Sequence, residues 1–328
     1  MLHRLIVAVG AGAAAALLFV VSSQSSVLAM ALAYLAPLPI MIATLGFGLD
    51  AGAIAGAISV AVLALVVEPL SALVFAASVA VPAWILAAFA VTPLGRYIGR
   101  FKPNAPGHAP VGAIVTLAAL IGMLGAAAVL TVIIVLYGGY REGARHVVET
   151  VAGLAAEAFD GAPDKLTSRQ FAEMLVRLGP AAIAASTLLM LCVNLYAAGR
   201  STQLSHNLPR PWPDLPATVG LPWPLGVAFL IGVGGAYALP APAGQYFSIL
   251  AGGLGAGLTL QGLAVAHALS RGLKMRPLML VALYACCVLR AKYTLPVLAG
   301  LGVIDGFLRL RSRAALIAPP PRLDTKRR

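Results

Sequence analysis

The side chains that could do chemistry in this sequence are few, and the most informative are Glu68, Arg290, Lys292 and Tyr293. Each lies in or beside an apolar stretch, where a charge is costly unless it is paired or hydrated. A carboxylate near an arginine or lysine can form an ion pair, and two bases can instead receive an anionic ligand. The pattern therefore predicts an ion pair or an anion site; anchoring of these side chains at a lipid–water interface is the alternative.

Two prolines lie within the apolar stretch "AYLAPLPIMIATLGFG", and each removes a backbone donor from the helix expected there. Carbonyl groups freed at such a break need partners, and broken helices often line binding cavities. Pro37 and Pro39, with Tyr34 just before them, therefore form the second part of the predicted ligand site. A kink that serves only helix packing is the alternative.

The sequence contains no Walker A motif, no dinucleotide-binding glycine motif and no nucleophile elbow. The five histidines and three cysteines lack the spacing of metal ligands. We therefore predict no catalytic residue, no metal, no cofactor and no enzymatic activity, and any use of ATP would need a partner chain.

Composition defines the class of protein that must position these residues. Hydrophobic residues make up 60% of the 328, charged residues only 10%, and the mean hydropathy is +0.93. Such a chain crosses a lipid bilayer repeatedly. The net charge of +12 is distributed between apolar stretches rather than in one soluble patch, so it indicates topology and not nucleic-acid binding.

We predict an all-α polytopic transmembrane bundle with about 8–10 crossings. Eight crossings are expected near Leu5–Val21, Val27–Phe47, Ala51–Val67, Leu70–Val91, Val111–Tyr137, Pro180–Ala198, Leu225–Leu239 and Tyr246–Ala268. A last apolar region, residues 278–310, is interrupted by two bases. It forms either a hairpin with arms Leu278–Leu289 and Thr294–Leu308 or one long tilted helix with both bases buried.

Basic residues recur in the loops on one side of this topology, and this side should be cytoplasmic. With both termini placed there, the residues on that side are Arg4, Arg96, Arg100, Lys102, Arg200, Arg210, Arg271, Lys274 and Arg276. A cleaved signal peptide is the competing interpretation of the N-terminus. We predict a protein of the bacterial inner membrane.

Residues 138–179 differ from the rest of the chain because their acids and bases nearly cancel. Apolar stripes at helical spacing predict an amphipathic extracytoplasmic helical hairpin within the integral domain of residues 1–310. A connector is favoured over a moving lid. Residues 311–328 are predicted to be a disordered basic cytoplasmic tail.

Small residues recur every four positions and predict close helix packing or a partner surface. They are Ala8, Gly12 and Ala16, then Gly52 and Gly56, then Gly253 and Gly257. Asp50 is expected to cap a helix that starts at Ala51, and Asp305 is expected to pair with Arg309 one helical turn later. Asn194 and Gln261 are expected to form hydrogen bonds between helices.

Three stretches, "AYLAPLPIMIATLGFGLDAGAIAGAISVAVLAL", "WPDLPATVGLPWP" and "LPVLAGLGVIDGFLRLR", resemble the YybS-like family of predicted bacterial membrane proteins of unknown function (domain of unknown function 2232). That family in turn is distantly similar to the substrate-binding S components of energy-coupling-factor transporters. The resemblance implies a helical bundle with a substrate cavity open to the outside. It also implies a coupling protein driven by cytoplasmic ATPases, with Ala8, Gly12 and Ala16 as the contact surface.

Two functions follow as hypotheses. The first is a component that binds or transports a small molecule of unknown identity. The second is a non-transporting scaffold or assembly factor that docks partner proteins. In both, the lipid bilayer surrounds the protein.

Overall fold

A computed structural model describes residues 2–21, 27–92, 108–158 and 165–317. Within these ranges the protein is helical and contains no β-strand. Eight helical stretches are long and apolar enough to cross a membrane, and two shorter apolar helices accompany them. The predicted all-α polytopic bundle is confirmed.

The first half of the described chain contains six α-helices and a π-helical turn. They are α1 (Leu2–Val20), α2 (Val27–Tyr34), α3 (Pro37–Phe47), α4 (Leu49–Val66), α5 (Pro69–Phe75), the π-helical turn (Ala76–Ala80) and α6 (Val81–Val91). Pro82 directly follows the π-helical turn. Because proline cannot donate a backbone hydrogen bond, such a local widening accommodates it inside a continuous crossing.

The second half contains nine helices. They are α7 (Val111–Leu136), α8 (Tyr140–Ala158), α9 (Lys165–Leu204), α10 (Leu215–Thr218), α11 (Trp223–Ala238), α12 (Ala243–Leu269), α13 (Arg276–Leu289), α14 (Ala291–Leu308) and α15 (Leu310–Ile317). α9 packs against α3 of the first half, so the two halves form one bundle.

Small residues bring α1 and α4 into close contact. Ala8 and Ala16 are buried, and a side chain at Gly12 would collide with the Ala55 carbonyl oxygen and with Ile58. Lipid provides no hydrophobic drive between helices, so close approach depends on such residues. This stripe packs against its own chain, which corrects its expected role as an exposed surface for a coupling protein.

A glycine also allows α3 and α4 to approach each other closely. A Cβ at Gly52 would overlap the Thr44 hydroxyl, whereas Gly56 faces the π-helical turn, where an added Cβ would lie at an ordinary contact distance of 3.8 Å from the Ala80 Cβ. The expected cap by Asp50 is wrong: α4 begins at Leu49, after Gly48 with φ 114°, and has no side-chain cap. The charge on Asp50 still lies in the first turn, where a helix dipole favours an acid.

α12 is the centre of the second half and packs against α7, α9, α11 and α14. Gly253 lies against Met123 of α7, and Gly257 against Leu188 of α9. Gln261, one turn further along from Gly257, is 1% exposed and makes polar contacts with Leu221 and Asp305. Both glycines are thus helix-packing residues.

α14 packs along α12, with Gly302 against Leu258 and Gly262 against Leu298. The Leu295 carbonyl oxygen lies 3.4 Å from the Thr259 hydroxyl, and the Asp305 carboxylate lies 2.8 Å from the Gln261 amide nitrogen. These two α14 residues are about 15 Å apart along their helix but reach the same turn of α12. Gly302 approaches the backbone of α12 so closely that a Cβ would overlap a carbonyl oxygen.

The last apolar region contains the predicted interruption, and it forms two helices whose bounds lie close to those of the predicted arms. Helices α13 and α14 are separated by Arg290 alone. α13 has no buried residue, while α14 packs on α11 and α12. Near the junction the Thr294 hydroxyl donates to the Cys286 carbonyl oxygen at 3.1 Å, while α14 buries its small residues against α12.

Two further expectations are corrected. α9 runs without interruption through Pro180, so the second arm of the predicted hairpin in residues 138–179 is continuous with the crossing that follows it. α8 packs on both α7 and α9. Residues 311–317 of the predicted disordered tail are helical, because the chain resumes a helix at Leu310. The turn at residues 159–164, the basic loop at 93–107 and residues 318–328 lie outside the described residues.

Candidate functional site

The structure does not bring the predicted ligand residues together. The Glu68 carboxylate accepts a hydrogen bond from Ser71 at 2.8 Å, and the Lys292 ammonium lies 4.8 Å from the centre of the Tyr293 ring. Among the described residues, neither Arg290 nor Lys292 lies within ion-pair distance of Glu68. The predicted pair is corrected, because α14 packs on α11 and α12 whereas α4 and α5 lie in the other half of the bundle.

The break before Pro37 has a polar partner. The Asn194 amide of α9 donates to the Tyr34 carbonyl oxygen at 2.7 Å, where α2 ends. The interhelical role predicted for Asn194 is thereby confirmed. Pro37 is buried and Pro39 is half-buried at the start of α3. None of these four residues lines either of the two cavities described below.

Both cavities lie at one end of the bundle, which we name the basic end. It is the end formed by residues 205–222 and the chain segments in contact with them. Arg210 reaches the carbonyl oxygens of Ala90 at 2.8 Å and Ala109 at 3.3 Å, and so ties this segment to the end of α6 and the start of α7. Desolvation lowers the pKa of Arg210, although not enough to neutralise a guanidinium at physiological pH.

The first cavity, which we name the apolar cavity, has a volume of about 470 Å³. Its walls come from the ends of α7, α9 and α12 and from residues 208–219. Most lining side chains are aliphatic, such as Val115, Leu195 and Leu260. Polar groups are few: on one side the His267 ring nitrogen and the Tyr284 hydroxyl lie 2.8 Å apart.

Trp212 lies over the apolar cavity. Its ring packs edge-on against Tyr196 with centroids 5.5 Å apart, and the Arg200 guanidinium lies 5.1 Å from its centre. A Cβ at Gly199 would come within 2.9 Å of the Trp212 ring. The absence of a side chain at this position therefore allows the tryptophan to pack against α9.

The second cavity, which we name the arginine groove, has a volume of about 770 Å³. It lies between residues 217–223, the end of α12 and the junction of α14 with α15. Arg271, Arg309 and Arg311 line it, and Asp305 is the one acid among its lining residues.

A buried polar cluster, which we name the clasp, lies in the wall of the arginine groove. The Asp305 carboxylate, 4% exposed, accepts hydrogen bonds from the Arg311 guanidinium at 2.7 Å and from the Gln261 amide at 2.8 Å. Gln261 accepts from the Leu221 N–H at 2.9 Å, and Arg311 donates to the Pro216 carbonyl at 3.0 Å. The clasp thus joins α12, α14 and α15 to residues 216–221.

The clasp overturns one expectation and confirms another. Asp305 bonds with Arg311 rather than with Arg309, because the helix ends at Leu308 and Arg309 adopts a left-handed conformation with φ 51°. The spacing of six residues is not a helical one, so periodicity could not identify the pair. The interhelical hydrogen bonds predicted for Gln261 are confirmed.

A second ion pair is partly exposed to solvent. Arg271 binds Asp214 through both guanidinium nitrogens, with Nη1–Oδ2 at 2.8 Å, and each side chain is about half exposed. Hydrogen bonding from Arg271 lowers the pKa of Asp214, and the carboxylate in turn raises the pKa of Arg271. Charge-assisted bidentate geometry of this kind fixes orientation as well as charge.

No group of three or more histidine, cysteine, aspartate or glutamate side chains in the described part of the chain is arranged to hold a metal. The absence of an enzymatic activity stays a prediction. The arrangement offers binding groups: an apolar cavity, a cationic groove and a clasp in the wall of that groove.

Fold and composition define a polytopic helical membrane protein. The sequence profile of the family described as "Predicted membrane protein (DUF2232)" matches residues 13–306, and the chain belongs to this family. No curated protein and no solved structure matches the chain. The resemblance to the transporter S components stays a prediction.

Proposed function

We propose that this protein binds a small hydrophobic molecule carrying one or two polar groups, and that the binding site is the apolar cavity. The observation that supports this proposal is a 470 Å³ space with aliphatic walls and few polar groups. Ligand sites of soluble and membrane proteins have this size and this mixture of groups. The Tyr284–His267 pair would supply hydrogen bonds, and Tyr196 and Trp212 would contact an aromatic or aliphatic body.

The proposal includes the orientation of the protein in the membrane. The basic end carries Arg4, Arg200, Arg210, Lys274 and Arg276, so the positive-inside rule favours placing it in the cytoplasm of a bacterial cell. Single cysteines at Glu149 and at Lys274, in a chain lacking Cys192, Cys286 and Cys287, test this. A membrane-impermeant reagent should label position 149 from outside and position 274 only after lysis. The reverse pattern would reject the orientation.

Native purification followed by mass spectrometry tests ligand binding. We compare wild type with Ala264→Phe, which fills the cavity from α12, and with Gly199→Ala, which displaces Trp212. Gly125→Ala is the matched glycine control, because no atom lies within 4 Å of the Cβ it would add. The wild type and the control should retain the same small molecule, and the two cavity variants should lose most of it.

Equal recovery from all four proteins would contradict the proposed site. Recovery of envelope proteins without a small molecule would favour the scaffold hypothesis instead. Transport is a further extension of the proposal: co-purification of a coupling protein with ATPases would support it. Because Ala8, Gly12 and Ala16 face α4 in this chain, such a partner would have to contact another surface.

A further inference from the structure

The arginine groove has a charge that the proposed function does not use. Three arginines and one carboxylate line it, which leaves two net positive charges. Counting Asp214, which binds Arg271 from outside the lining, leaves one. The groove therefore favours an anion over a neutral or cationic ligand.

The three arginines differ in their availability. Arg311 is held by Asp305 and by the Pro216 carbonyl. Arg271 is paired with Asp214, but the pair is about half exposed. Arg309 is exposed, and its guanidinium has no partner within the described residues. A ligand would thus meet one free cation, a second cation in an exchangeable pair and a third that is fixed in place.

The groove also has an apolar border suited to the membrane surface. Trp223, 56% exposed, packs against Phe307 with ring centroids 5.8 Å apart, and Leu269 is about half exposed. Tryptophan at the end of a crossing is typical of the headgroup level of a bilayer. Cationic side chains beside such a ring meet phosphate groups rather than hydrocarbon.

We propose that the arginine groove binds a phosphate group, with Arg309 and Arg271 as its ligands and Arg311 as a fixed neighbouring charge. Arginine is suited to this role because its planar fork donates two parallel hydrogen bonds to phosphate oxygens. The phosphate can belong to a membrane phospholipid or to a soluble phosphorylated compound. This inference concerns a different cavity from the proposed function and does not depend on it.

Native mass spectrometry of the full chain in detergent tests the inference with three probes. Phosphatidylglycerol carries the phosphate on a lipid, glycerol phosphate carries it without chains, and diacylglycerol has the chains without the phosphate. Binding of phosphatidylglycerol alone identifies a lipid site, and binding of glycerol phosphate as well identifies a site for soluble phosphates. Failure of both phosphate probes, or equal binding of diacylglycerol, would overturn the inference.

Variants separate the groove from general attraction to a basic surface. Arg309→Gln should weaken phosphate binding about tenfold, the value of one charge-assisted hydrogen bond. Arg313→Gln, an exposed arginine outside the groove lining, is the matched control and should change binding less than about twofold, the size expected of one screened surface charge. Equal losses in the two variants would overturn the inference.

Asp214→Asn and Arg271→Gln together separate a direct effect on phosphate binding from an effect on folding. Asp214→Asn releases Arg271 from its partner, so it should tighten phosphate binding, whereas Arg271→Gln should weaken it. If the ion pair had only a structural role, both variants would weaken binding together. The phosphate site would be rejected if both variants weakened binding and if Arg309→Gln bound phosphate as well as wild type. The thermal stability of Arg309→Gln should equal that of wild type for this comparison.

Discussion

Breaking the clasp should destabilise the protein more than any other single change of charge. Asp305→Asn keeps the shape of the side chain but removes its negative charge. The Arg311 guanidinium would then lie beside a neutral amide, without the charge that balances it. The two side chains are 3% and 14% exposed, respectively. Removing one member of a buried ion pair typically costs about 3–5 kcal/mol. Because Arg311 borders the hydrated groove, we expect about 3 kcal/mol, at the lower end of that range.

A double-mutant cycle isolates the interaction. Arg311→Gln should be as costly as Asp305→Asn, because it leaves a buried carboxylate with one remaining side-chain donor, Gln261. The double variant Asp305→Asn/Arg311→Gln should cost less than the sum of the single variants by at least about 1.5 kcal/mol, a coupling typical of residues in contact.

Unfolding in mixed micelles, followed by tryptophan fluorescence, measures these free energies. Trp223 lies in the groove wall and reports on the region directly. Asp50→Asn is the control, since Asp50 is an exposed first-turn acid and should contribute less than about 1 kcal/mol. Additive single effects, or equal costs for Asp305→Asn and Asp50→Asn, would refute the reasoning.

Two further predictions use matched or pH-resolved comparisons. Gly302→Ala should destabilise by about 1–3 kcal/mol because its Cβ overlaps the Leu258 carbonyl oxygen, whereas Gly300→Ala on the same helix meets open space and should not; equal effects in unfolding titrations would contradict this. The stability contributed by the Asp214–Arg271 pair should be complete above the usual Asp pKa of 3.8 and lost as the pH falls through the lowered pKa of folded Asp214. The difference between the melting temperatures of wild type and Asp214→Asn should therefore be full at pH 6 and shrink as the pH falls below 3.8, and a constant difference would exclude the pair as its source.

The crossings could be predicted from sequence because lipid imposes a length and a composition on each of them. The interruption at Arg290 could be predicted for the same reason, since a charge is costly inside an apolar helix. The role of Asn194 followed from the need to satisfy polar groups in lipid. These predictions depend on local sequence alone.

The site could not be predicted in the same way, because it depends on contacts between distant segments. Asp305 reaches Arg311 only because the helix ends at Leu308 and Arg309 takes a left-handed conformation, a choice that no periodicity reveals. The apolar cavity draws its walls from six helices, α3, α6, α7, α9, α12 and α13, and from residues 208–219. The close packing of α14 on α12 likewise depends on which small residues face each other.

The clasp binds one lining residue of each cavity, and this gives it a consequence for both. Pro216 lines the apolar cavity and Leu221 lines the arginine groove, and the clasp holds both through Arg311 and Gln261. An anion that drew Arg311 away from Asp305 would also release the Pro216 carbonyl. The position of residues 216–221, and with it the shape of the apolar cavity, is therefore tied to the same buried carboxylate that balances the charge of the groove.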